Sequence, residues 1–391
     1  MRSHAPATAT PSRLDAPNTI TSPAAPPLTA LTEPALCPEQ LEVVELAASG
    51  RNIFYTGSAG CGKSTVLHAI TRRLRDEGKT VRVMAPTGKS ALAINGTTTW
   101  TFAGWTPNSH KRKLELLEVE ALKMRRRRLR ETDTIIIDEI SMVENLHFER
   151  LNAIMKSARD NDRPFGGVQV IVTGDFCQLP PVKPFQHCID CGGDLVSIDE
   201  DSGTIHRCPS CKREYSDTDK WAFRSHAWKE CDFAHIHLQS IHRQSDAGFI
   251  SLLQKCRLGI PFTQDEVDTL MTYRPVTDNA VRLFSTRDEV RRKNDEGFTR
   301  LKTQPYPYRT YDKFLWYPKT NPHLESKNRE NPDGSLCALD DHRFDRRIDL
   351  KIGMLVILLV NLDISAGLSS KTSGVTLRVA SPQSGALQTG F

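Results

Sequence analysis

The sequence contains no apolar run near the roughly 18–20 residues that a membrane-spanning helix needs. Its longest candidate, Met354–Val360, has only the length of a strand. A membrane partner is therefore not expected. No continuous apolar leader opens the chain, which argues against secretion. No N-K-x-D that would read guanine is present, which argues against a GTPase. No internal repeat is found. Charge of one sign is also scarce: the net is +5 over 391 residues, a weak pointer to an anionic partner.

The positive charge is concentrated. Residues 111–130 hold nine Lys/Arg against three Glu, more than the whole chain's excess. Such a block suits nucleic acid, or equally a solvated helix face. Residues 1–35 are rich in Ala, Pro, Thr and Ser without apolar periodicity and read as a disordered leader. From Leu36 onward strands alternate with helices. Asn52–Thr56, Val81–Ala85, Thr134–Asp138 and Val168–Thr173 are predicted strands; Lys63–Asp76 and Leu146–Arg159 are predicted helices. Three isoleucines at 135–137 suit a parallel strand buried on both faces. The class is α/β, with a parallel sheet. Alternation resumes after an insertion, at Ala234–Leu238, Asp246–Arg257, Ala280–Phe284 and Arg287–Leu301, which predicts a second α/β domain. Residues 303–346 read as surface loop, and a β pattern restarts at Leu350–Leu362.

Gly57–Ser64, GSAGCGKS, fits G-x-x-x-x-G-K-[ST] between a strand and a helix. The N–H groups of Gly57, Ser58, Ala59, Gly60, Cys61 and Gly62, with those of Lys63, Ser64 and Thr65, can wrap phosphates at a helix N-terminus. Lys63 neutralises the β and γ oxygens, and Ser64 binds Mg²⁺. The strand before Asp138 and Glu139 delivers both carboxylates to the sheet's C-terminal edge, where open α/β sheets bind ligands. Asp138 is expected to hold Mg²⁺ and Glu139 to orient and deprotonate the attacking water. Gln178, in GDFCQLPPV, is placed to sense the γ-phosphate.

The ten cysteines include two C-x-x-C pairs, Cys188/Cys191 and Cys208/Cys211, sixteen residues apart. That spacing fits a Cys₄ zinc ribbon, with disulfides or free thiols as the alternative. Residues 196–207 between the pairs suit a hairpin. Four thiolates close the coordination sphere, so the zinc would be structural.

In this order the motifs resemble the Pif-type (petite integration frequency) helicases of superfamily one, over roughly residues 36–379. IIIDEISM and GDFCQLPPV are similar to the family's motifs II and III, Ala85–Ala91 to motif Ia, and Ile241–Gly259 to motif IV. The resemblance implies two RecA-like motor domains, 36–185 with a wedge near 99–130 and 215–345, the second incomplete. Between them lies the ribbon at 186–214, and at 346–391 the start of an SH3-like β module. It also implies ATP hydrolysis coupled to 5′–3′ movement on single-stranded DNA and unwinding of tailed duplex by a monomer. Gln40, in LCPEQ, would read adenine and Arg243 would be the arginine finger. Thr87 and Lys89 would touch strand phosphates, and Trp100 and Phe102 would stack bases. Trp100 and Thr101 stand where the family carries His and Ser, and GLSSKTSGV at 367–375 departs from its pattern. The family's final block is not found before Phe391, so a relative that binds ATP and DNA without unwinding is the competing expectation. A nuclear compartment is expected, with the mitochondrion as alternative. Repair, recombination and telomere maintenance are the implied roles.

Overall fold

Burial on both faces explains why the strands at the centre of the protein are almost purely apolar. In the computed structural model a six-stranded, all-parallel sheet forms from β1 (Ile53–Gly57), β2 (Val81–Ala85), β3 (Thr97–Thr98), β4 (Thr134–Ile137), β5 (Gln169–Gly174) and a later strand, Ala234–Leu238, in the order β3-β2-β4-β5-β1-(234–238). Every residue of β4 is buried, as the isoleucine run requires. The structure describes residues 35–106, 108–120, 126–200, 203–272, 282–309, 329, 337, 347–359 and 373–375. The chain divides into two units, Met1–Cys37 and Pro38–Phe391; only 35–37 of the first are described, so the expected leader lies outside the described residues.

Helices α1 (Pro38–Ala48), α2 (Lys63–Asp76), α3 (Gly88–Ala93), α4 (Thr99–Ala103), α5 (Leu114–Glu120), α6 (Arg126–Arg130), α7 (Asn145–Arg159) and α8 (His226–Glu230) accompany the sheet. In α2 the buried Val66, Leu67, Ile70 and Leu74 form one apolar stripe, and in α7 Phe148, Leu151, Ile154, Met155 and Ala158 do the same. Thr87 and Thr98 cap α3 and α4 by accepting from Ser90 N and Thr101 N. The basic segment is partly structural. Leu117 and Leu129 are buried, and Arg128 donates to the carbonyls of Thr101 and Phe102 while lying 5.5 Å from the Phe102 ring.

Three short strands, β6 (Val196–Glu200), β7 (Gly203–Arg207) and β8 (Glu214–Ser216), form a separate antiparallel sheet. The expected hairpin is β6–β7, extended by one strand. The expected domain boundary at 215 is corrected. Trp228 of α8 packs in the same core as Phe148, and Ala234–Leu238, now β9, pairs in parallel with β1 along its whole length. The first α/β domain therefore closes only at Leu238, because β1 has its other neighbour there.

Beyond β9 come α9 (Ala247–Leu258), α10 (Gln264–Thr272) and α11 (Arg287–Arg300), none of which has a fully buried residue. Asp246 caps α9, and Thr286 with Glu289 makes a capping box on α11. The strand expected at 280–284 is not seen at 282–284, and 280–281 lie outside the described residues. The stretch expected to be loop contains β10 (Tyr306–Arg309), antiparallel to β11 (Arg347–Leu350). β12 (Leu355–Ile357) pairs with β13 (Ser373–Val375). Among the described residues no second parallel sheet is found.

Candidate active site

The turn after β1 runs directly into α2, and two of its glycines have backbone conformations that side chains resist. Gly60 and Gly62 have φ of +92° and +83°. A Cβ at Gly62 would lie 2.4 Å from Gln40 Nε2, and one at Gly60 would lie 2.8 Å from Arg243 Cβ. Gln40 itself is buried and donates from Nε2 to Cys61 O at 3.1 Å. The turn is thus held between α1 and the segment after β9. His242 N donates to Gly60 O at 2.8 Å, and Gln254 Nε2 of α9 donates to Ser58 Oγ at 2.8 Å. Three stretches far apart in sequence meet on one phosphate-sized loop.

Lys63 opens α2 and bends back over the turn, donating from Nζ to Gly57 O at 2.7 Å and Ser58 O at 3.1 Å. Asp138 directly follows β4, and its Oδ1 accepts from Glu139 N at 2.8 Å. Burial raises the Asp138 pKa, against the Glu139 amide and the Lys63 charge. Glu139 is raised too, by burial first, then by the charge of Asp138 and, further off, of Asp175. Glu139 also has φ +51°, uncommon for a residue with a Cβ and typical of functional turns. Tyr55 of β1 is fully buried beside this pair, its hydroxyl donating to Lys63 O at 3.3 Å.

Asp175 was passed over in the sequence. It follows β5 and is 1% exposed. The Arg257 guanidinium of α9 meets it as a fork, Nε to Oδ2 and Nη2 to Oδ1, both at 2.9 Å. Gln178 Nε2 donates to the same carboxylate at 2.9 Å. Burial opposes the Asp175 charge, but the fork, Gln178 and the Cys177 amide together hold its pKa below the usual range. Gln178 is exposed, and Asp175 fixes its amide. The available signal for Asp175 and Arg257 was an acid two residues after a predicted strand and a basic residue on a predicted helix. Nothing local in the sequence pairs them across 82 positions.

A second cleft, of about 580 Å³, opens beside α3 and α4. Thr87, Thr98 and Trp100 line it, with His110, His147 and Arg150 and the arm 181–187 that leads to the small sheet. Trp100 is half-buried and stacks on His110, centroids 4.2 Å apart and planes at 29°. Lys89 is exposed on α3. Phe102 is corrected: it is 2% exposed and belongs to the main core, so it cannot offer a face to a base without opening that core.

His147 is buried and bonded to Thr99 Oγ1 at 2.9 Å. Burial, then the Arg150 charge, lowers its pKa to about 3, and the same causes lower His110 further. The unfolded value is about 6.5. Stability from neutral His147 is therefore complete above about pH 6.5 and lost as pH falls toward 3, a loss of about 2 kcal/mol at pH 5. Calorimetry should show a lower melting temperature at pH 5 than at pH 7, with a smaller drop in His147→Asn. Equal drops in the two proteins would contradict this.

Cys188, Cys191, Cys208 and Cys211 place their sulfurs within 4.8 Å of one another, with Sγ–Sγ distances of 3.3, 3.5 and 3.7 Å for 188–211, 191–208 and 191–211. These are too long for a bond of about 2.05 Å. They approach the edge of about 3.8 Å that a tetrahedron with Zn–S near 2.3 Å requires. The donor set and geometry fit zinc.

A strand–glycine turn–helix with Lys63 at its mouth, two carboxylates at the end of a parallel central strand and a sheet of this order define a P-loop nucleoside-triphosphatase fold. The sequence model for the PIF1-like helicase family matches residues 35–188. The Xenopus laevis ATP-dependent DNA helicase PIF1 is 35% identical over 283 residues, covering 71% of this chain and 39% of that protein. Among solved structures, the Pif1 helicase from Candida albicans superposes with TM-score 0.65 at 31% identity, covering 88% of this chain and 69% of that one. A Bacteroides Pif1 bound to single-stranded DNA shares the fold at TM-score 0.59 and 22% identity, covering 89% and 70%. The chain belongs to the PIF1-like helicase family. It spans about two fifths of the length of the frog relative.

Proposed function

We propose that the chain is the ATP-hydrolysing motor of a DNA helicase, moving 5′–3′ on single-stranded DNA and opening tailed duplex as a monomer. One observation carries the reading. The glycine turn with Lys63 packs against the Arg243 segment, the Lys63 charge acts on the Asp138–Glu139 pair, and a separate cleft carries a stacked tryptophan.

In this reading Lys63 leaves its two loop carbonyls for the β and γ oxygens. Ser64 and Asp138 would hold Mg²⁺, which when bound neutralises charge on those oxygens. Glu139 takes the proton of the attacking water; burial raises its pKa, which makes it a stronger base than an ordinary carboxylate. Gln40 reads the adenine edge, Gln178 reports on the γ position, and Arg243 stabilises charge on the transferring group. Thr87 and Lys89 contact strand phosphates and Trp100 stacks a base, worth about 1–3 kcal/mol. Cys188, Cys191, Cys208 and Cys211 hold a structural Zn²⁺. Roles in repair, recombination and telomere maintenance, in the nucleus, rest on kinship with the family and on the run Arg125–Arg128.

ATP turnover with and without single-stranded DNA tests the motor. Wild type should be stimulated by the strand, and Lys63→Ala should fall by at least about 10²-fold, the scale of losing a positioned charge at the reacting phosphate. A 5′-tailed duplex should open and a 3′-tailed one stay closed. Equal turnover in Lys63→Ala would remove the enzymatic reading; turnover with both duplexes intact would leave a translocase.

A further inference from the structure

Residues 181–187 run from the active site into the small sheet, and two of them are held in an unusual conformation. Lys183 and Phe185 have φ of +48° and +55°. Side chains with a Cβ resist that region and stay there only where their surroundings dictate it. Here the surroundings are the ribbon and α7. Phe185 N donates to Glu144 Oε1 at 2.7 Å, and its buried ring stacks on Tyr215 of β8 at 5.3 Å and 14°. The Tyr215 hydroxyl lies 3.6 Å from Cys188 Sγ. Arg150, 1% exposed, donates from Nη2 to the carbonyl of His187 at 2.9 Å, one residue before the first cysteine.

The far side of the ribbon is fixed as well. Gly192, in the first C-x-x-C knuckle, has φ +72°, and a Cβ there would lie 2.4 Å from the Lys111 carbonyl. The knuckle backbone is pressed against the wedge. Yet residues 188–216 carry six acidic residues against three basic ones. A surface of that charge repels phosphate, so the ribbon body is a poor nucleic-acid surface. The arm is different: exposed Lys183 and Gln186 line the same cleft as Thr87 and Trp100.

We propose that the arm 182–187 is an additional wall of the strand-binding cleft, with Lys183 contacting a phosphate of single-stranded nucleic acid, and that the Cys₄ ribbon serves to hold this arm in place. The inference rests on the strand-binding part of the function proposed above. The ribbon then acts on strand affinity through Phe185, Tyr215 and Arg150, which act as positioning residues for the arm.

The test is fluorescence anisotropy of a labelled oligo-dT with the full chain, across a salt series. Lys183→Gln should weaken binding about 3- to 10-fold. It should also reduce the slope of log K against log salt by about 0.7, the value for one phosphate contact on a single strand; a merely structural change would leave that slope intact. Cys191→Ser with Cys211→Ser should lose at least as much affinity and the same slope. If Lys183→Gln keeps both affinity and slope while wild type binds, the arm is not a wall and the cleft reading survives. If the double cysteine variant keeps the full slope, the ribbon does not hold the arm. If wild type itself binds no strand, the cleft reading fails and takes the arm with it.

Discussion

Arg243→Ala is expected to lower strand-stimulated ATP turnover by roughly 10³- to 10⁵-fold, the range an arginine finger contributes to phosphoryl transfer. Binding of an ATP analogue should change far less, because Gln40, the turn amides and Lys63 remain. The physical reason is where the arginine sits. Its Cβ is already packed against Gly60, and His242 N holds Gly60 O, so the side chain leaves the backbone at the rim of the phosphate turn. Arg243→Lys should recover little, since an ammonium presents a point charge where a planar fork is needed. Stopped-flow phosphate release with and without DNA measures the effect. A loss of less than about tenfold would assign the charge-stabilising role elsewhere. Arg257 is not that alternative while its fork is engaged by Asp175.

Loss of the metal is expected to have the second largest effect, and a local one. The three-stranded sheet is too small to hold itself: Val196 is 53% exposed, and the buried groups around it are chiefly Cys188, Cys208 and Phe185. Small sheets of that kind depend on their metal, for which apparent binding free energies of about 10–16 kcal/mol are measured in zinc-finger peptides. Metal analysis should find about one Zn²⁺ per chain. Chelation should make residues 188–216 protease-sensitive, while the central parallel sheet, whose core is built from β1, β2, β4 and β5, keeps its melting transition. Substoichiometric metal in protein purified without chelator, or a chelated ribbon as resistant as the loaded one, would sink the assignment.

Local pattern carried much of this architecture. The three isoleucines of β4 reported a strand buried on both faces, Val81–Ala85 was legible to the residue, and the helix from Lys63 was legible to about its end. The reason is that periodicity, glycine spacing and helix starts are properties of a few neighbouring residues. The phosphate turn was legible on the same ground, since its chemistry is packed into eight consecutive positions. The two C-x-x-C pairs were legible because a metal demands donors at fixed short spacing, and the structure gathers all four sulfurs.

Other features depend on distance in sequence and escaped it. Ala234–Leu238 reads as a strand, but only pairing with β1 assigns it to the first domain rather than the second. Phe102 reads as a core residue by itself and as a stacking platform only through the family resemblance, and its packing beneath Arg128 decides for the core. Gln178 is recognisable as a polar residue near the phosphates, but the carboxylate that orients it is visible only once Asp175 is folded beside Arg257.

The sequence by itself determined the chemistry: which groups can cradle a phosphate, hold a metal or move a proton, because each of these needs particular atoms at short, fixed spacing. The tertiary structure alone decided the company those groups keep. Asp175 against Arg257, Arg243 against Gly60, and the arm at Lys183 against the cleft join segments tens to nearly two hundred residues apart. No local rule fixes such pairs; they follow from how the sheet orders its strands and where that leaves the chain to return.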